Sequence, residues 1–394
     1  MPRFEPFAAV RYAADQPLAD VVAPPYDVLT AAARDRYAAR HPHNVVHIDV
    51  PRDPSGAPDY ALAGRLYREW QNTGVLVRDT DPTFTIYRMA FTDDGGRRRS
   101  STGVVGGLEV VDAGTGDVLP HERTTAKDLA DRLELTRATE ANLSPIWVLS
   151  LASGLTDLLA EPGEPVGEAV DDDGVEHRVE RITDPARIEA VRQRAASAVA
   201  VIADGHHRYE VARAYRAEQH GPGAWDLTLA FLVELAEDQL TVAAIHRVLS
   251  GLPAGWEQHL DRHFMRVADG AAGRSTLDAM ARTGALALVR TDGSAELLVP
   301  RPDAFAGVDD LDAARLAHAL RDVEHEARFE PDVDAAVAAV TSGRAEATVL
   351  VRPVGVPAIQ QLAADRSLMP PKSTFFTPKL RTGLVFRPLD GSVS

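Results

Sequence analysis

The chain has 394 residues, enough for a sizeable core and for two domains. Its 45% apolar and 25% charged residues are ordinary for a globular protein, and its formal charge of −16 argues against a general nucleic-acid binder or a protein that docks on anionic membranes. It contains no cysteine, which excludes disulfides, thiolate metal sites, iron–sulfur clusters and cysteine nucleophiles. The opening Met-Pro-Arg-Phe-Glu-Pro-Phe has no apolar signal-peptide core. No run approaches the ~18 apolar residues of a membrane helix. The expectation is a cytoplasmic protein that spans no membrane.

In chain order, residues 4–10 read as a short strand. Pro24-Pro25-Tyr26-Asp27-Val28 is a rigid extended turn, because each proline biases its predecessor away from helix. Thr30 caps a helix running to residue 40, and 45–50 reads as a strand. His41, His43, His47 and Asp49 lie close in sequence but without a familiar ligand spacing, so no metal is assigned. Residues 60–73 form an amphipathic helix on Leu62, Leu66, Tyr67 and Trp70. Residues 84–91 and 101–111 read as a hairpin around Asp93-Asp94-Gly95-Gly96.

The block Leu119-Pro-His121-Glu122-Arg123-Thr124-Thr125-Ala-Lys127-Asp128 precedes a charged helix, 129–142, with little apolar face. Two readings fit it equally: a solvated helix start, or an acid–base group beside threonine hydroxyls and a lysine, as phosphate chemistry requires. Residues 144–151 are then an apolar strand. Asp171-Asp172-Asp173-Gly174 turns a hairpin between 166–170 and 175–182, and Asp184-Pro185 opens a helix that leads to residue 196.

The most informative stretch follows. Six apolar residues, 198–203, end in Asp204-Gly205-His206-His207-Arg208, and Val211, Ala212 and Tyr215 continue at helical spacing. The pattern predicts strand, tight turn and helix, with Asp204 as N-cap and Gly205 turning the backbone. A helix start offers free N–H groups and positive dipole to an anion. Arg208 adds a guanidinium fork, and either histidine can donate to an oxygen or shuttle a proton. The competing reading leaves Asp204 as a cap and the histidines solvated. Five such residues in one turn favour a site.

Beyond it, 227–234 and 240–248 read as a hairpin, 256–264 and 275–283 as helices, and 285–290 with 295–299 as another hairpin. Helices at 311–323 and 333–341, a strand at 347–351 and a helix at 358–365 complete the pattern. The proline-rich loop from Leu368 to Leu380 presents Lys372, Ser373, Thr374 and Lys379 to an anion. The expected fold class is α+β: a mixed, antiparallel-rich sheet around the 198–204 strand, with packed helices. Residues 1–220 would carry the turn. Residues 221–394 would form a second portion whose C-terminal loop folds back to the site.

Five ordered blocks carry a resemblance: residues 24–28, 121–127, 142–146, 203–210 and 369–374. Over nearly the whole chain they resemble the bacterial domain-of-unknown-function family numbered one thousand and fifteen, which brings no settled activity. The Asp204–Arg208 block is also similar to the phosphate-binding turn of the ParB/sulfiredoxin superfamily. There a Gly-X-X-Arg turn opens a helix and holds nucleotide phosphates, and Gly205 and Arg208 match its ends. The archaeal free-serine kinases of that superfamily carry nearly this Asp-Gly-His-His-Arg form. Sulfiredoxin-type chemistry lacks its cysteine here, and the charge disfavours partition-type DNA binding.

This resemblance implies a nucleotide-dependent phosphotransferase, an ATP- or ADP-dependent kinase acting on a small hydroxyl metabolite such as free serine, with Mg2+ accompanying the nucleotide. Gly205, His206, His207 and Arg208 would hold phosphates, with Thr124, Thr125, Lys372, Ser373 and Thr374 beside them. Glu122 would take the acceptor proton, with Asp204 as the alternative. His121 would assist, and Lys127 and Lys372 would neutralise developing charge. The partners are then a nucleotide and a small-molecule substrate, with no nucleic acid and no membrane. Two rivals remain open: a phosphatase or hydrolase using His121, His206 and His207 around a metal or water, and a nucleotide-gated binding protein without chemistry.

Overall fold

The computed structural model describes residues 1–93, 96–120, 129–370 and 372–390. It is mixed α+β, and its sheets are antiparallel-rich, as expected. The chain divides into two compact units: Met1–Thr241 with Ala363–Arg366 and Pro378–Ser394, and Val242–Leu362 with Ser367–Thr377. The first unit thus runs past residue 220, because strand Leu227–Glu234 lies inside its sheet. Among the described residues no helix is long and apolar enough to cross a membrane.

The main sheet of the first unit has nine described strands. Their order is Val118–Pro120, Ala200–Asp204, Ile146–Ser150, Leu227–Glu234, Arg98–Glu109, Phe84–Thr92, Glu176–Ile182 and Glu164–Val170, with Phe4–Glu5 beside Arg98–Glu109. Two pairings are parallel, Ala200–Asp204 with Val118–Pro120 and Leu227–Glu234 with Ile146–Ser150. The strand before the turn is therefore second from an edge, not central. One face of the sheet buries Phe84, Ile86, Val104, Ile146, Val148, Ile202 and Leu232 under helices that contribute Leu155, Leu159, Val191 and Tyr209. Helix Ala31–Arg40 starts where Thr30 Oγ1 accepts from the Ala33 amide at 3.1 Å.

The second unit holds an antiparallel sheet ordered Phe264–Ala271, Ser294–Pro300, Leu286–Val289, Ala347–Leu350, His246–Ser250 and Glu326–Glu330. Alternate residues serve two cores, because strand side chains point to opposite faces. Leu286, Leu288, Leu298 and Val349 pack with Leu260 and Leu316, whereas Ala287, Val289, Leu297 and Leu350 pack with Met280, Ala336 and Val340.

Three expectations are corrected. Residues 45–50 are not a strand: Val46–Asp49 is a short helix. The buried Asn44 side chain redirects the chain there, accepting from the Val46 amide at 3.1 Å and donating to the Asp20 carbonyl at 2.6 Å. The 227–234 and 240–248 segments are not hairpin partners. Leu227–Glu234 is buried along almost its whole length and takes neighbours on both sides in the first unit's sheet, while His246–Ser250 pairs with Glu326–Glu330 and Ala347–Leu350. Asp204 does not cap a helix: it is the last residue of its strand, and the N-cap position is Gly205.

Candidate functional site

Strand Ala200–Asp204 is buried until its last residue, and a register shift against Trp147 frees its end from the regular ladder. Gly205 follows at φ +89° and ψ 28°, the left-handed region that favours glycine. A Cβ there would lie 3.0 Å from the Arg208 guanidinium and from Ile146 Cγ2, a tight fit that adds to the backbone preference. Helix His206–Ala217 begins at once. Its N-cap offers no side chain, unlike Thr30, Asp59, Asp184 and Asp332, each of which accepts from an amide three residues on. The helix is pinned to the sheet by Tyr209, whose hydroxyl accepts from the Val111 amide at 2.9 Å and donates to the Glu109 carbonyl at 3.0 Å.

Asp204 sits between two cations. Arg208 Nη2 donates to its Oδ2 at 2.9 Å and Lys379 Nζ to its Oδ1 at 2.9 Å. Burial alone would raise this carboxyl, but Lys379 and Arg208 outweigh it and hold Asp204 below the usual carboxylate range. Asp204 is therefore an ionised anchor and a weak proton acceptor. The Arg208 side chain is only 10% exposed. Its Nη1 donates to Ser144 Oγ at 3.1 Å and to the Pro145 carbonyl, and Nη2 lies 3.7 Å from Asp27. Thr382 Oγ1 donates to the same Ser144 hydroxyl at 3.0 Å.

Asp27 reaches Arg208 because Pro25 holds extended backbone (φ −63°, ψ 151°) before the single turn Tyr26–Val28. Its side chain is 38% exposed. Behind it lies a buried layer: Arg132 stacks over the Tyr26 ring at 4.4 Å and donates to the Asp49 carbonyl at 2.7 Å. Burial pushes the Tyr26 phenol up to about 12 and raises the Asp49 carboxyl, against the opposing pull of Arg132 and Arg208.

Of the residues singled out in the sequence, Asp204, Gly205, His206, His207 and Arg208 occupy one turn, with His206 buried and His207 half-buried. Arg208 is not an open fork but is clamped onto Asp204, Ser144 and Pro145. Lys372, Ser373 and Thr374 belong to the second unit. There Ser373 and Thr374 are buried, and Ser373 Oγ donates to the Pro370 carbonyl at 2.7 Å. His121, Glu122, Thr124, Thr125 and Lys127 lie outside the described residues. Among the described residues no group of three or more His, Asp or Glu side chains is placed to hold a metal ion.

Sequence reasoning did not assign Asp27, Ser144 or Thr382 to the turn, and it put Lys379 on an anion-facing loop without naming Asp204 as its partner. One signal for Lys379 was present. Of the 42 basic residues only Lys127, Lys372 and Lys379 are lysines. A chain that uses arginine almost everywhere keeps lysine where a compact, flexible ammonium does what a planar guanidinium cannot.

No curated protein matches the chain. Among solved structures it is similar to a mutant free serine kinase in complex with ADP, at 12% identity and a TM-score of 0.39, over 68% of this chain and 89% of that one. A conserved hypothetical protein from Pyrococcus furiosus gives 12% and 0.39, over 68% and 92% of the two chains. SbnI with a C-terminal truncation from Staphylococcus aureus gives 12% and 0.40, over 72% and 87%. At these TM-scores the likenesses carry no weight for the chemistry of the turn. Residues 4–314 match the family described as "Protein of unknown function (DUF1015)", and the chain belongs to that family.

Proposed function

We propose that the chain is a nucleotide-dependent phosphotransferase acting on a small hydroxyl metabolite, with free serine as the first acceptor to test. The observation that carries this reading is the Gly205 turn, a helix start without a capping side chain where Arg208 and Lys379 converge on Asp204. Backbone N–H groups, a guanidinium and an ammonium together suit a multiply charged phosphate oxygen cluster. The likeness of Asp204-Gly-His-His-Arg208 to a nucleotide-phosphate turn points the same way.

In this reading the acceptor hydroxyl oxygen attacks the terminal phosphorus of the nucleotide. The bond from that phosphorus to the bridging oxygen breaks, and the shortened nucleotide leaves with the electron pair. Glu122 takes the hydroxyl proton. Asp204, held ionised by two cations, orients Arg208 and Lys379 instead of acting as base. Gly205, His206, His207 and Arg208 hold phosphate oxygens, and His121, Thr124, Thr125 and Lys127 complete the set. Magnesium would accompany the nucleotide as its counterion and would supply charge neutralisation of the phosphates, with no dedicated protein cage among the described residues.

The test is a thermal-shift panel of ATP, ADP, GTP, CTP and inorganic phosphate, with and without magnesium. A ligand that binds the native state raises its melting temperature by mass action. A nucleotide-specific shift lost in His207→Ala, followed by phosphoserine formation from serine, supports the reading. Glu122→Gln should keep the shift and lose turnover. Absence of any nucleotide shift in the wild-type protein would sink it, and a shift without phosphoryl transfer to any hydroxyl acceptor would reduce it to a nucleotide-gated binding protein.

A further inference from the structure

The segment carrying Lys379 is tied down by a buried polar network that phosphoryl transfer itself does not use. Arg381, Tyr87 and His177 are all buried. Arg381 Nε donates to Asp171 Oδ2 at 3.0 Å, and Nη2 pairs with the same oxygen. That oxygen also meets His177 Nε2 at 2.9 Å, and His177 Nδ1 meets the Tyr87 hydroxyl at 2.8 Å. Burying an ion pair and an imidazole is costly and adds little net stability over apolar packing. What such a network does supply is direction, because each bond fixes an angle as well as a distance.

The segment it directs passes along several described parts of the site. Thr382 exchanges backbone hydrogen bonds with Ala23, at 3.2 and 2.9 Å, beside the turn that presents Asp27. Its hydroxyl reaches Ser144, the partner of Arg208. Phe386 exchanges a second pair with Val10, at 3.0 and 2.9 Å. Two residues before Arg381, Lys379 reaches Asp204. It is also one of the chain's three lysines.

We infer that Lys379 is the ammonium that meets a phosphate at the Gly205 turn, and that Arg381 and Asp171 are positioning residues that hold it on Asp204. The anion part rests on the phosphotransferase reading; the positioning part does not. On arrival of a phosphate, Lys379 turns from Asp204 to the phosphate oxygen, and the short tether to Arg381 keeps it within reach.

Two measurements separate the parts. The first is amine acylation of the native protein, read by peptide mass spectrometry, which a chain of three lysines makes simple. Asp171→Asn is the variant of choice, because an amide oxygen still accepts from the Asp173 and Val175 amides that shape the hairpin turn. Lys379 should react at least tenfold faster, roughly, in this variant than in wild type, since its closed state is lost. Unchanged Lys379 reactivity in a folded Asp171→Asn protein overturns the positioning assignment. If that variant does not fold, His177→Gln is read in the same way. The second is the nucleotide shift: Lys379→Met should abolish it, and Lys379→Arg should not restore it. Retention of the full shift in Lys379→Met overturns the anion assignment. A wild-type protein with no shift rejects phosphotransfer and the anion assignment together, while the acylation result still decides the positioning pair.

Discussion

The sheet of the second unit and the sheet around the turn are built on different terms. In the second, alternate Leu, Ala and Val residues fill a core on each face, and burial of apolar area is the main support. In the first, Arg11, Asp49, Arg132, His177, Glu180, Arg381 and Arg387 are buried among the apolar residues, where they form ion pairs, hydrogen-bond a carboxylate or donate to backbone carbonyls. Apolar packing tolerates substitutions of similar volume, whereas a buried charge tolerates only its partner. The difference teaches where geometry matters more than stability. The second unit also buries His246, Arg247 and Asp312, but the larger set of buried charged groups lies in the unit that carries the Gly205 turn.

The largest expected effect tests that contrast directly. Arg132→Met leaves the buried Asp49 carboxyl without its partner and should cost about 3–5 kcal/mol, measured by urea unfolding, and weaken nucleotide binding too. Leu288→Ala, in the second unit's core, should cost about 2–5 kcal/mol through lost burial and a residual cavity. It should leave the nucleotide shift per Kd unchanged. A loss of nucleotide affinity from Leu288→Ala would break the division of labour.

Acid should distinguish the units as well. Burial, with Arg247 beside it, pushes the His246 imidazole down to about 4, and its Nδ1 accepts from the Val351 amide at 3.3 Å. The unfolded chain binds this proton near its ordinary value and the folded chain does not, so stability falls as pH drops from about 6.5 towards 4, by roughly 3 kcal/mol in all. Asp204 acts in the same direction but in a lower window. Its folded value lies below its unfolded one, so its contribution is complete above the ordinary carboxylate range and disappears only as pH falls beneath it. Hydrogen exchange followed through pH 6 to 4 should therefore loosen the second unit first, and His246→Gln should remove most of that dependence. The smallest effect is expected at Gly205→Ala, about 1–3 kcal/mol from the left-handed backbone and the close approach of Ile146. Its nucleotide shift should fall by more than its stability does.

Much of the architecture was legible in the sequence because it is written in local patterns. An apolar run closed by Asp-Gly, then helical spacing, gave the strand, turn and helix around Gly205. Asp184-Pro185 marked a helix start, and hairpins at Glu164–Ile182 and Leu286–Pro300 followed from alternation and turn residues. Strand Glu326–Glu330 was missed because it is short and mostly exposed, and its Glu-Ala-Arg-Phe-Glu alternation offers only two apolar residues. The pairing of Leu227–Glu234 was misjudged for the opposite reason: a strand apolar on both faces does not name its neighbours.

By itself the sequence determined the family blocks, the glycine at the turn and the chemistry gathered there, since backbone conformation and capping depend on residues a few positions apart. Only the tertiary structure decided what Asp204 and Arg208 do with that chemistry. Their partners Lys379 and Ser144 lie 175 and 64 residues away along the chain. Loop side chains that meet across such separations leave no period in the sequence, so the clamp on Arg208 and the hold on Lys379 appear only once the sheet has brought them together.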